Sequence, residues 1–164
     1  MESVLAKKNT LQNRLKSGSM VITVVCALAM LFNLGVGIVT LVEYNKYGHD
    51  ALTRFAFIRN SLASIIGAVI MGLAALMFLR ISRNGIPFTD KNVRTVRVIA
   101  VLIIVNSFFP VIVSAAASGT DMGNVMVLGS MLSPTALAEG LLFLFTAYII
   151  RYGTMLQQES DETL

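Results

Sequence analysis

The feature that most constrains this chain is a run of 23 residues, at positions 20–42, without a single charged side chain. At a rise of 1.5 Å per residue, a helix of this length spans the roughly 30 Å hydrocarbon core of a bilayer. Three further apolar runs follow, at residues 61–79, 98–117 and 125–150. Only 13% of the residues are charged, against about 25% in a typical soluble domain. We therefore expect an integral membrane protein.

The four runs predict an all-α fold, a four-transmembrane-helix bundle that forms a single membrane domain over residues 1–164. Helix signals at the ends of the runs place the helices at about residues 20–42, 52–80, 90–117 and 124–153. The polar segment before the first run is either a short interfacial helix or a frayed terminus.

A stripe of small side chains marks the second run. Ser64, Ala68 and Gly72 recur every four residues, so they lie on one face of a helix. Small residues let two helix backbones approach closely in a membrane. The stripe predicts a helix-packing face, either within the bundle or against another subunit of a larger complex.

The positive charges predict how the chain lies in the membrane. Ten of the thirteen Lys and Arg residues fall in the N-terminal segment, in the central loop at residues 80–97, and in the C-terminal tail. Because cytoplasmic loops carry the excess of Lys and Arg, we expect both termini and the central loop in the cytoplasm, an N-in/C-in topology.

The central loop has the sequence pattern of a defined turn. Gly85 is suited to end the second helix, and Pro87 prevents its continuation. Thr89 or Asp90 can cap the third helix. One interpretation of this loop is a topology signal with snorkelling cations. The other is a surface for anionic lipid or a cytoplasmic partner, formed by Arg80, Arg83, Pro87, Phe88, Lys91, Arg94 and Arg97. We expect Phe88 to pack against the C-terminal tail.

Three polar residues lie near the middle of three different apolar runs. They are Asn33, Asn106 and Glu139. Polar groups inside a membrane mark ion or ligand paths by default. They also serve as hydrogen-bonding contacts between helices. The candidate midplane site therefore has a functional interpretation, as a proton-linked or small-ligand site, and a structural one.

Composition argues against several classes of chemistry. A single cysteine, Cys26, and a single histidine, His49, leave too few ligands for the usual zinc sites. No nucleophile stands at a recognisable spacing from a base, and no phosphate-binding loop is present. We expect no catalytic residues, no metal and no cofactor, and no direct contact with nucleic acid, since the positive charges flank the apolar runs. No feature specifies an oligomeric state.

Two stretches together resemble a known family. The central NGIPFTDKNVRTVR and the ending RYGTMLQQESDETL, in this order and spacing, are similar to the signatures of the family called domain of unknown function 2975. The resemblance implies a small four-helix integral membrane protein of prokaryotes with no established activity. It also implies a cytoplasmic regulatory partner of the helix-turn-helix type, because genes of the family tend to lie beside such regulators.

These observations lead to two functional hypotheses. The first is a non-enzymatic protein of the cytoplasmic membrane that interacts with a cytoplasmic partner or senses the membrane. The second is a small transporter or proton-coupled carrier centred on Glu139.

Overall fold

The structure, a computed structural model, describes the backbone of residues 2–47, 51–117 and 134–162. Side chains are described for residues 10–46, 56–108, 135–156, 158 and 159. Within these ranges the chain forms four helices: α1 (Glu2–Tyr47), α2 (Ala51–Asn84), α3 (Asp90–Ala117) and α4 (Pro134–Glu162). The predicted all-α class with four helices is confirmed. The start expected for the fourth helix, near residue 124, lies outside the described residues.

The first helix is much longer than the apolar run that it contains. It begins at Glu2, so the polar lead and the first membrane run form one helix of 46 residues. Nothing in the lead stops a helix, since it contains no proline and Gly18 is its single glycine. At 1.5 Å per residue the helix is about 70 Å long, more than twice the thickness of the hydrocarbon core. α1 is therefore much longer than one membrane crossing requires.

Three of the helices are long and apolar enough to cross a membrane, within the segments Thr10–Lys46, Ala56–Asn84 and Thr135–Leu156. Their large apolar side chains face outward: Leu28 is 61% exposed and Phe32 is 73% exposed. Apolar surface on this scale is stable when lipid covers it. A membrane crossing by α3 stays a prediction, because its side chains beyond Phe108 are not described.

The helices pack in chain order. α1 lies against α2, α2 against α3, and α3 against α4. Among the described residues, no Cα atom of α1 comes within 8 Å of one in α3 or α4, and none of α2 comes within 8 Å of one in α4. The described parts thus form two helical hairpins, α1–α2 and α3–α4, which meet through α2 and α3.

Four of the seven buried apolar side chains among the described residues lie on α3. Val93, Val96, Ile99 and Ala100 are each 5% exposed or less. They fall at helical spacing on one face, in the first three turns of α3 after the turn that joins it to α2. The core of the described structure is therefore concentrated at the loop end of the bundle.

Candidate functional site

The central loop ends α2 with a left-handed glycine. Gly85 has φ of +69°, a conformation that costs other residues free energy. Its N–H donates a hydrogen bond to the carbonyl of Ile81 at 2.7 Å. This is the αL motif, in which the residue after the helix satisfies one of its last free carbonyls. The sequence predicted this turn correctly, because a Gly followed closely by a Pro is a local signal.

Thr89 starts the next helix. Its Oγ1 accepts a hydrogen bond from the backbone N–H of Asn92 at 3.3 Å, and its carbonyl accepts one from Val93 at 3.0 Å. Of the two predicted caps, Thr89 therefore acts as the N-cap, and Asp90 occupies the first turn, where a carboxylate favours the positive helix end. The Asn92 side chain ties the loop to α3, since Nδ2 donates to the Pro87 carbonyl at 2.9 Å.

The N-terminal part of α1 and the C-terminal part of α4 lie beside this loop. A Cβ built on Gly85 would lie 2.8 Å from Gln12 Nε2 and 2.9 Å from Lys16 Cε, so the N-terminal part of α1 lies against the turn. A Cβ built on Gly153 would lie 3.0 Å from Phe88 Cδ1, so the Phe88 ring rests on α4. The tail is the partner that the sequence predicted for this ring. The loop and the two terminal helix segments thus occupy one end of the bundle.

A basic cleft opens on this end. It has a volume of about 370 Å³ and is lined by Arg80, Asp90, Lys91, Arg94 and Thr95. Three cations thus face one carboxylate. Arg80 Nη1 donates to Thr95 Oγ1 at 3.3 Å, and Thr95 Oγ1 donates to the Lys91 carbonyl at 2.9 Å. The first of these hydrogen bonds joins the end of α2 to the second turn of α3, so the capped turn positions the cations of both helices.

The other residues of the predicted loop surface lie elsewhere. Arg83 and Arg97 are exposed but do not line the basic cleft. Phe88 is half-buried against α4, and Pro87 lines an interior cavity. The predicted surface is therefore divided between three cations of the cleft, two cations outside it, and two residues that pack inward.

The structure places the candidate midplane residues on different hairpins. Asn33 belongs to the α1–α2 contact: its Nδ2 donates to the Ala29 carbonyl at 2.8 Å, and a Cβ on Gly67 would lie 2.9 Å from its Oδ1. Asn106 on α3 has a buried Oδ1 with no hydrogen-bond partner among the described residues. Glu139 on α4 is exposed.

These positions bear on the transport hypothesis. Because no Cα of α1 lies within 8 Å of α3 or α4 in the described parts, Asn33 is not a direct backbone neighbour of the other two residues. Asn106 and Glu139 lie on helices that do pack together. A transport role centred on Glu139 stays a prediction.

The stripe of small residues on α2 faces α1. A Cβ built on Gly72 would lie 3.0 Å from Met30 Sδ, and one built on Gly37 would lie 3.6 Å from the Cβ of Ser64. Ala68, one helical turn from both ends of the stripe, is 3% exposed. The stripe therefore packs within the bundle, where it lets α1 and α2 approach closely.

Sequence reasoning did not single out Asn92 and Thr95. Asn92 stands three residues after the capping Thr89, the position at which a capping box has its second polar residue, and that spacing was visible in the sequence. Thr95 carried no comparable signal, because its role depends on the meeting of two helices.

Among the described residues, no group of three His, Cys, Asp or Glu side chains could hold a metal ion. His49 lies outside them.

A family model with the description "Protein of unknown function (DUF2975)" matches residues 18–164. The match covers most of the chain and confirms the resemblance that the central loop and the tail indicated. The chain matches no curated protein and no solved structure. The family description states no activity.

Proposed function

The chain belongs to this family, which supplies no activity, and we propose from the geometry that it is a non-enzymatic membrane protein whose basic cleft binds an acidic segment of a cytoplasmic protein. The observation that carries the proposal is the convergence of Arg80, Lys91 and Arg94 on one cleft beside a capped turn. A topology signal needs positive charge alone. It needs neither a positioned cleft nor a hydrogen bond between Arg80 and Thr95.

The surroundings of the cleft favour a protein partner over a lipid headgroup. α1 extends from Glu2, and α4 continues to Glu162, so two helical segments project from the end that carries the cleft. Ten residues of α4 follow Tyr152, which corresponds to about 15 Å of helix. A partner protein could contact these projecting helices and the cleft together, whereas a lipid headgroup would reach only the cations.

The orientation is part of the same proposal. The loop, Gln12 of α1 and Gly153 of α4 lie at one end, and this end carries most of the Lys and Arg residues. The positive-inside rule assigns such an end to the cytoplasm, which corresponds to four spans with both termini inside. We place the protein in the cytoplasmic membrane of a prokaryote, with the lipid bilayer as its surroundings and a regulatory protein of the helix-turn-helix type as the candidate partner.

The test compares cations inside the cleft with cations outside it. The full-length chain in nanodiscs of neutral phosphatidylcholine is titrated with a fluorescent peptide of ten glutamates. An exposed ion pair contributes about 0.2–1 kcal/mol, so the double variant Lys91→Ala/Arg94→Ala should bind roughly 2- to 30-fold more weakly than the wild type. The matched control, Arg83→Ala/Arg97→Ala, removes the same charge from the same loop and should bind within about twofold of the wild type.

Two results would contradict the proposal. Equal weakening by both double variants would mean that the peptide responds to overall charge and not to the cleft. Absence of peptide binding, with cleft-dependent binding of phosphatidylglycerol vesicles by the same protein, would assign the cleft to lipid.

A further inference from the structure

A second cleft, here called the α4 cleft, lies on the exposed face of α4. Its volume is about 270 Å³, and the described residues that line it are Tyr148, Arg151, Tyr152 and Met155. They recur every three or four residues, so they share one face of the helix. All four side chains are exposed, with Tyr148 at 72% and Tyr152 at 62%. This face is therefore open to whatever surrounds the protein.

The charge of the α4 cleft favours an anion. Arg151 is the single charged side chain among its described lining residues, whereas the basic cleft also contains the carboxylate of Asp90. A guanidinium group has five N–H donors and no acceptor, and the hydroxyls of Tyr148 and Tyr152 add two further donors. Donors of this kind around a fixed positive charge are suited to a phosphate group.

The α4 cleft lies at the end of a candidate membrane span. The segment Thr135–Leu156 is long and apolar enough to cross a bilayer, and the cleft residues occupy its last turns. Tyrosine is enriched where the hydrocarbon core meets the headgroups, and arginine at a helix end places its charge at the same level. A phosphate group bound to Arg151 would therefore lie among the lipid headgroups.

The same face of α4 continues into the hydrocarbon core as an apolar stripe. Leu141 and Phe145 precede Tyr148 by seven and three residues, so they lie one and two turns deeper on this face. They are 56% and 65% exposed. From Tyr148 to Leu141 the helix rises by about 10 Å. A phospholipid has its groups in the same order, with the phosphate at the surface and the acyl chains below it. An acidic peptide has no apolar part that could cover this stripe.

We propose that this face of α4 binds a phospholipid whose headgroup carries a net negative charge. The phosphate accepts hydrogen bonds from Arg151 and from the hydroxyls of Tyr148 and Tyr152, and an acyl chain lies along Phe145 and Leu141. The net charge of the headgroup matters because Arg151 has no carboxylate beside it in the cleft. This site is separate from the basic cleft and does not depend on what the basic cleft binds.

The test uses a tryptophan as a local reporter of lipid contact. The chain contains no natural tryptophan, so Phe145→Trp introduces a single one beside the proposed acyl chain. The full-length variant is reconstituted in phosphatidylcholine bilayers, in which one part of the lipid is replaced by brominated phosphatidylglycerol or by the same amount of brominated phosphatidylcholine. Bromine quenches tryptophan fluorescence on contact, and the two lipids differ in headgroup charge. We expect phosphatidylglycerol to associate about 1.5- to 5-fold more strongly than phosphatidylcholine.

Two matched controls connect this preference to the α4 cleft. Phe32→Trp places the reporter at a 73% exposed position of α1, and we expect the two brominated lipids to quench it equally. In the Phe145→Trp protein, Arg151→Gln should remove the preference for phosphatidylglycerol. Arg83→Gln, which removes an exposed charge from the end of α2, should retain it. Exposed side chains are replaced in each case, so all variants should fold.

Three outcomes would overturn the proposal. The first is equal quenching of the Phe145→Trp protein by the two lipids. The second is a preference that survives Arg151→Gln, or one that Arg83→Gln reduces by the same factor, since the preference would then come from overall charge. The third is protection of the Phe145→Trp reporter from both lipids together with cross-linking of two chains through α4, which would assign this face to a second copy of the protein.

Discussion

Gly85 should be the least replaceable residue of the central turn. Its φ is +69°, and the left-handed region costs an L-residue with a Cβ about 1–2 kcal/mol. The new methyl group would also lie 2.8 Å from Gln12 Nε2 and 2.9 Å from Lys16 Cε. Both atoms belong to long, flexible side chains that can move aside. The backbone conformation therefore dominates, and we expect Gly85→Ala to destabilise the protein by about 1–2 kcal/mol.

Gly18 provides a control with the opposite sign. It lies within α1, and nothing comes within 4 Å of a Cβ built on it. Alanine is favoured over glycine in a helix interior by roughly 0.5–1 kcal/mol, so Gly18→Ala should stabilise the protein by about that amount. The same chemical change is thus expected to act in opposite directions at two positions near the same end of the bundle.

The assay is unfolding of the full-length protein by sodium dodecyl sulfate in mixed micelles, followed by far-ultraviolet circular dichroism. A double-mutant cycle with Gln12→Ala separates the two contributions at Gly85. If the backbone conformation dominates, removing the Gln12 side chain should recover little of the lost stability. A Gly85→Ala protein as stable as the wild type would show that the positive φ of Gly85 carries no cost for a residue with a Cβ. Full recovery by Gln12→Ala would refute the assignment to φ and identify steric contact as the cause.

Two further substitutions test the remaining contacts by the same assay. Gly140→Ala should destabilise the α3–α4 contact by about 1–3 kcal/mol, because its Cβ would lie 2.5 Å from Ile104 Cγ1 and 3.3 Å from the Ala100 carbonyl oxygen. When it is combined with Ile104→Ala, the two substitutions should show a favourable coupling free energy. Simple additivity of the two effects would contradict the contact. Phe88→Ala should cost about 1–3 kcal/mol, less than a fully buried Phe because the ring is half-buried. It should also speed tryptic cleavage after Arg151, the single Lys or Arg of the tail, because the ring no longer covers α4 at Gly153, and an unchanged cleavage rate would contradict the packing.

The features that the sequence predicted well are those set by local chemistry. Helix content followed from the uncharged runs, because a backbone in hydrocarbon must satisfy its own hydrogen bonds. The end of α2 at Gly85 and the cap at Thr89 followed from the conformations that these residues favour. The contact of Phe88 with the tail was predicted from a side chain that a topology signal did not require. Each of these features depends on residues close in sequence or on one physical constraint.

The features that the sequence did not predict depend on the pairing of helices. Whether Asn33 meets Asn106 or faces Gly67 is decided by which helix lies next to α1, and hydropathy carries no such information. The buried position of Asn92 was not visible in the sequence for the same reason, because the residues that line the cavity beside it come from four helices. The cleft around Arg80 likewise needs α2 and α3 to be placed side by side.

The sequence predicted the helices better than their pairing because lipid is as apolar as leucine. Burying a leucine between two helices gains little over leaving it in contact with acyl chains, so apolar runs determine the spans but not their neighbours. Pairing then depends on close approach at small residues.

In the described structure, a glycine meets a larger side chain at successive contacts: Gly67 with Asn33, Gly72 with Met30, Gly140 with Ile104, and Gly153 with Phe88. Two of these contacts hold the α1–α2 hairpin, one holds the α3–α4 hairpin, and the last holds the loop on the tail. No described glycine forms such a contact between the hairpins, and the interior cavity lies there. The space between the hairpins is therefore where the described helices are packed least closely against one another.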